Sequence, residues 1–176
     1  MRAQAIFLGI VLTLVVQALV VVLAVQNGWI DPRADNGYMP GEKWASRIVP
    51  RAIGRDSASL TSPIEATPQN LTAGAKLYGE NCAICHGASD HQESIVAKGL
   101  YVRAPQLAKD GVEDDPVGET YYKIAHGYRM TPMPAFSKTL KDTQIWQLAL
   151  FLKNMDKLPP EAEAEFKKIP SQTSGS

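Results

Sequence analysis

The stretch Glu80–Asp90, ENCAICHGASD, holds the only two cysteines in a chain of 176 residues, and His86 stands directly after the second of them. Cys82 and Cys85 are three positions apart. Two thiols and an imidazole within five residues form a compact donor set, and three chemistries use such a set. A redox dithiol normally follows a strand in an α/β pattern, whereas the segments on both sides of this stretch read as helix or loop. A zinc site would need more ligands. There is no second C-x-x-C, and the remaining histidines, His91 and His126, do not form a finger-like pair after an adequate gap.

The third chemistry fits. C-x-x-C-H is the attachment signature of a c-type haem. In that reading Cys82 and Cys85 carry thioethers to the porphyrin vinyl groups, and His86 presents its imidazole to the iron from the proximal side.

Composition sets the remaining bounds. Lys+Arg 18 balance Asp+Glu 18, so the chain lacks the basic excess of a nucleic-acid binder. The length allows one domain of about 100 residues and leaves about 70 to be explained otherwise. Part of that remainder is Ala5–Val25, AIFLGIVLTLVVQALVVVLAV, in which Gln17 is the one strongly polar side chain. As a helix this run reaches roughly 30 Å, the thickness of a bilayer's hydrocarbon core. A cleaved secretory signal is the competing reading, but its apolar core is usually about 7–15 residues and ends in a small-x-small site. This run is longer and passes into VQNGWIDPR without one, so a single uncleaved transmembrane anchor is expected. Arg2 before the helix favours an amino terminus on the inner side, with everything after Val25 outside.

A haem iron has a sixth position to fill, and Met39, Met130, Met133, Met155, His91 and His126 are the candidates. In Arg129–Lys138, RMTPMPAFSK, Met133 lies between Pro132 and Pro134. Two prolines stiffen the loop around it, so its thioether would meet iron at little further entropic cost. Met130 is the second choice.

Residues 67–158 resemble a class I cytochrome c. AGAKLYGENCAICHG supplies Gly74 and Tyr78 on a helix leading into the motif; YVRAPQL precedes a middle helix; TPMPAF supplies Met133; QIWQLALFLKNM closes the domain. The resemblance implies an all-α fold around one covalently attached haem c. It also implies a crossing of the terminal helices at Gly74, Leu148 and Phe151, where glycine permits close approach. By the same resemblance the Pro105 carbonyl accepts the His86 ring N–H. Arg103 is expected either to pair with a haem propionate or to be simply solvated. Periodicity supports the helices independently. Ile145, Leu148, Phe151 and Leu152 recur at helical spacing, with Asp142 as cap and Pro159-Pro160 as stop, and VGETYYKIAHGYR gives two to three turns halted by Gly127. Trp146 reads as a packing residue, His126 as a surface or propionate-side residue, and His91 as exposed.

Four segments are thus expected: 1–26 as anchor, 27–66 as linker or docking segment, 67–158 as haem domain and 159–176 as tail. The second is rich in apolar side chains for a linker: Trp29, Tyr38, Met39, Trp44, Ile48, Val49 and Ile53. Arg47, Arg51 and Arg55 recur every four residues, although Pro50 argues against one continuous helix. Either its tryptophans rest at the membrane interface or the segment docks on another subunit. The tail reads as a short charged helix or frayed end, disordered at its Ser/Thr-rich finish. Asn70-Leu71-Thr72 is read as helix-start chemistry.

With His86 and Met133 both on the iron, no position remains for oxygen, peroxide or a substrate, and His/Met ligation suits electron transfer. No nucleophile with its base and no phosphate loop is present, so an electron carrier is expected and not an enzyme. The acidic run Glu113–Asp115 reads as a solvated loop. The leading expectation is a single-pass protein of a bacterial inner membrane, its haem domain in the periplasm, passing electrons between redox partners whose identity is open. A fixed haem subunit of a larger membrane oxidoreductase is the second. A haem sensor or peroxidase with an open sixth position is the third.

Overall fold

The computed structural model describes residues 2–30, 33–38, 41–42, 44 and 57–173. Met39, Ile48, Val49, Ile53 and the arginines Arg47, Arg51 and Arg55 lie outside the described residues. Contacts divide the chain into two units, Met1–Asn36 and Gly37–Ser176. The first is dominated by helix α1, Arg2–Gln26, with a mean hydropathy of 3.0 over its most apolar window and no buried residue. Its 25 residues span about 38 Å at the α-helical rise, long and apolar enough to cross a bilayer.

In the second unit all regular structure among the described residues is helical. Helix α2, Pro68–Asn81, starts where Thr67 accepts a hydrogen bond from the Asn70 N–H and Pro68 takes a position that needs no N–H partner. Three single turns follow: α3 (Ala83–His86), α4 (Ile95–Lys98) and α5 (Leu107–Asp110). Helix α6, Val117–His126, stops at Gly127, and a 3-10 turn, Phe136–Lys138, leads to α7, Asp142–Lys153. Asp142, expected as the cap of α7, is its first helical residue. The cap position belongs to Lys141, whose N–H donates to the Gln144 side chain, while Asp142 sits in the first turn where the helix dipole favours a carboxylate.

The core forms where α2 crosses α7. A Cβ on Gly74 would stand 2.3 Å from the Gln147 carbonyl oxygen and 2.6 Å from Phe151 Cβ, so no side chain fits at this crossing. Ala75, Tyr78, Ile145, Leu148, Ala149 and Phe151 are buried around it. Trp146 is buried too, with the Tyr121 ring stacked on it at 4.0 Å.

Of the two expectations for the segment after residue 158, a short charged helix or a frayed end, the structure has the helix, and it is packed on the core. Helix α8, Pro160–Lys167, buries Ala162 and Phe166, and the Phe166 ring meets Tyr78 and Phe151 edge-on at 5.7 and 5.3 Å. The reason is an apolar pair, Ala162 and Phe166, at i and i+4 on a mostly charged helix, continued by Ile169 just past its end. Even Gln172 is tied down, its carbonyl accepting from the Ile95 N–H at 2.7 Å. The segment expected as a linker also contributes packing. Ser57 is buried and lies with Leu60 against Gly118 at the start of α6, and Ile64 packs on the core. The Tyr38 ring lies tilted against Tyr101 at 4.9 Å, and its hydroxyl donates to the Tyr101 carbonyl at 3.1 Å. Trp29 and Trp44 remain 77% and 69% exposed.

Candidate haem site

The turn α3 sets the donor geometry. The N–H groups of Cys85 and His86 both donate to the Cys82 carbonyl, at 3.0 and 2.9 Å. Residues three and four apart on such a turn share a face, so both thiols and the imidazole are presented together. Both thiols are free. Burial, and then the neighbouring Cys85, push the Cys82 thiol up to about 12, and burial raises Cys85 as well. Neutral thiols are poor nucleophiles and poor zinc ligands until deprotonated, which argues against a reactive dithiol.

The His86 Nδ1 stands 2.8 Å from the Pro105 carbonyl oxygen. A carbonyl only accepts, so Nδ1 carries the proton and the Nε2 lone pair is left for a metal. Burial pulls the imidazole pKa below its usual value, with the Pro105 hydrogen bond opposing. Burial therefore favours the neutral, ligating form. From α2 the Tyr78 hydroxyl donates to the carbonyls of Gly87, at 2.8 Å, and His86, at 3.2 Å, which clamps the end of the turn to the helix core.

Met133 and Met130 have opposite surroundings. Met133 is half-buried and packs on the cluster that also receives Cys82, Leu107 and Phe136, whereas Met130 is 92% exposed. The loop that carries Met133 is closed on itself. Tyr128 N–H donates to the Met133 carbonyl at 3.2 Å, Thr131 N–H to the Tyr128 carbonyl at 3.2 Å, and Met133 N–H to Thr131 Oγ1 at 3.2 Å. Gly127 makes this possible. Its φ is +61°, and an added Cβ would come within 2.4 Å of the Pro134 carbonyl oxygen and 2.6 Å of that of Met133.

Arg103 is engaged with protein carboxylates, Asp110 at 2.8 Å and Glu93 at 3.5 Å, so a propionate would compete with both. His91 and His126 are exposed, His126 lying against the Tyr122 ring at 4.2 Å. Asp115 pairs with Lys123 at 2.8 Å, and the backbone carbonyls of Glu113 and Asp115 accept from Lys153. The acidic run is thereby anchored at both ends. Two buried polar side chains went unnoticed in the sequence. Ser94 bonds the Ile84 carbonyl at 2.7 Å, and Gln106 bonds the Cys85 carbonyl at 3.0 Å. Nothing in their spacing marks them; Gln106 has only its place next to Pro105.

Among the described residues no three His, Cys, Asp or Glu side chains gather to hold a bare metal ion. One neutral imidazole beside two free thiols suits a metal that arrives with its own equatorial ligands, as in haem.

Comparison with known proteins agrees. Residues 69–152 match the family model of cytochrome C oxidase, cbb3-type, subunit III. The chain is 34% identical to the cbb3-type cytochrome c oxidase subunit CcoP of Azospirillum brasilense over 47% of its own length and 27% of that protein. It is 28% identical to the quinohemoprotein alcohol dehydrogenase ADH IIB of Pseudomonas putida, over 74% of this chain and 20% of the enzyme. Similarity to cytochrome c6 of Limnospira maxima is 28% over 47% of this chain and 90% of that protein. The chain thus spans about a fifth to a quarter of the first two relatives. No solved structure matches it. The all-helical unit with its C-x-x-C-H turn is a class I cytochrome c domain, a kind of domain that carries one covalently bound haem c. A domain of this kind implies haem electron transfer, and the apolar N-terminal helix fits membrane anchoring.

Proposed function

We propose that this chain is a membrane-anchored electron carrier whose haem is bound through Cys82 and Cys85, with His86 and Met133 as axial ligands. The haem supplies one-electron chemistry; the chain's own residues bind it, hold the ligands and keep water away. The observation that carries the reading is that Met133 packs on the same cluster as Cys82 while Met130 points to solvent. His86, its Nδ1–H on the Pro105 carbonyl, offers Nε2, and the closed Tyr128–Met133 loop offers a thioether with little freedom left to lose. A six-coordinate iron leaves no place for a substrate, so the chain is not itself an enzyme, although one relative is named as a dehydrogenase.

The anchor occupies 1–26, and the haem domain takes in the packed residues from Ser57 to Thr173. The haem domain faces the periplasm of a bacterial inner membrane, with Arg2 on the opposite side. Respiratory or dehydrogenase proteins are the donor and acceptor. A second reading, a fixed haem subunit of a membrane oxidoreductase, is favoured by the match to an oxidase subunit family. Detergent extraction and sizing separate the two, because a fixed subunit brings partners with it.

Optical spectra of the purified full chain, oxidised and reduced, with and without carbon monoxide, test the ligand set. The proposal expects the weak far-red ferric band of a sulfur–iron bond and no carbon monoxide binding. Ready binding without that band would favour a sensor or peroxidase with an open sixth position.

A further inference from the structure

We propose that Gln106 is a positioning residue for His86, its buried amide closing a ring of hydrogen bonds that sets how strongly the imidazole donates to the Pro105 carbonyl. This rests on the haem electron-transfer reading above. Gln106 is 1% exposed, and its side-chain amide is fully used. Oε1 accepts from the Ser94 N–H at 3.0 Å, and Nε2 donates to the carbonyls of Cys85 and Ala104, each at 3.0 Å. The Cys85 carbonyl belongs to the peptide that leads into His86, and Gln106 itself follows Pro105. The ring therefore runs from Cys85 to His86, across 2.8 Å to Pro105, along the chain to Gln106, and back through its amide to Cys85.

Both ends of the His86–Pro105 contact are fixed by this one residue. On its backbone side the Gln106 N–H donates to Asp110 Oδ2 at 2.7 Å, and its carbonyl accepts from the N–H groups of Lys109 and Asp110. On the far side Ser94 Oγ donates to the Ile84 carbonyl and accepts from the Ala97 N–H at 2.9 Å, steadying the partner that Gln106 Oε1 uses. An apolar side chain of similar shape would fill the same space, but it would leave the Ser94 N–H and the Cys85 carbonyl without this partner in a buried place. The ring N–H to carbonyl bond governs imidazole basicity, and basicity governs how well the ligand stabilises ferric iron. Gln106 thus acts on the iron through His86 without touching it.

The test compares four full-length haem proteins: parent, Gln106→Met, Gln106→Glu and Leu150→Ala. Leu150 belongs to a separate apolar cluster with Leu71 and Ala162 and serves as a destabilised control. The readouts are the midpoint potential and the solvent exchange of the His86 ring N–H in the ferrous protein by NMR. Gln106→Met is expected to shift the potential upward and to speed ring N–H exchange about tenfold, the order expected for one lost hydrogen bond. Leu150→Ala moves neither. Gln106→Glu at low pH, its neutral carboxyl able to donate to Cys85 and accept from Ser94, keeps the parent potential. Parent-like potential and exchange in Gln106→Met overturn the proposal and leave Gln106 as packing. If Gln106→Met does not fold, Gln106→Glu decides: a potential away from the parent's while the carboxyl is protonated overturns it. Parent protein that purifies without haem overturns the electron-transfer reading as well, whereas haem present with an unmoved potential overturns this inference alone.

Discussion

The Tyr78 ring meets Phe166 edge-on at 5.7 Å while its hydroxyl ends on the Gly87 carbonyl at 2.8 Å. One side chain thus joins the last helix of the chain to the turn that carries His86. Phe166→Ala removes an almost fully buried ring that also packs on Phe151, and such a change costs about 3–5 kcal/mol. Denaturant unfolding is expected to show that loss, and truncation before Pro160 is expected to be worse. A truncated chain as stable as the parent would mean that α8 rests on the core without supporting it.

Met133 and Met130 can be separated by their sixth-position behaviour. Met133→Ala is expected to abolish the far-red ferric band and to let carbon monoxide bind the reduced protein. Met130→Ala, at a 92% exposed side chain, is expected to change stability by less than about 0.5 kcal/mol and to leave the spectrum as it is. The reverse pattern would transfer the ligand role to Met130.

How much of this was legible beforehand depends on which physical signal each feature leaves. The C-x-x-C-H motif is local chemistry, and the α7 stripe of Ile145, Leu148 and Phe151 is a clean period, so both are visible in a single sequence. The two prolines around Met133 single it out in the same way. Helix α8 was harder to read because Glu161, Glu163, Glu165 and Lys167 hide an apolar pair, and a charged terminal segment resembles a frayed end. Gln106 and Ser94 left no sequence signal, since a buried polar residue is recognised only by partners brought together in the fold. Arg103 was legible as a cation near the site. Its engagement with Asp110 depends on the α5 turn, which has no periodicity of its own, and that with Glu93 on the loop ahead of α4.

Gly127 makes a further prediction. Its φ of +61° is strained for any L side chain, and a methyl group there would run into the Pro134 and Met133 carbonyls. Gly127→Ala is expected to lose more than about 1 kcal/mol, since the native conformation is incompatible with the new residue. Because the clash falls on the Met133 loop, the far-red band should weaken in folded protein under conditions where the parent retains it. Loss of stability with an intact band would show that the loop yields elsewhere.

Acid behaviour offers a signed test at Asp110. The hydrogen bond from Arg103 holds the Asp110 carboxyl below its ordinary 3.8, with burial opposing and the Gln106 N–H adding to the effect. A carboxylate whose pKa is lower in the folded than in the unfolded chain contributes stability that is fully present above the unfolded value. That contribution is lost as pH falls from about 4 through the folded value, because the unfolded chain then binds the proton first. Asp110→Asn removes the charge and with it this dependence. The parent should therefore be more stable than the variant near neutrality, with the gap narrowing below about pH 4. Thermal unfolding midpoints measured across that range check it. Two curves that stay parallel into acid would mean that the Arg103–Asp110 pair, with Arg103 half in solvent, is screened too well to matter, and that Gln106 is held at its backbone end by the α5 turn alone.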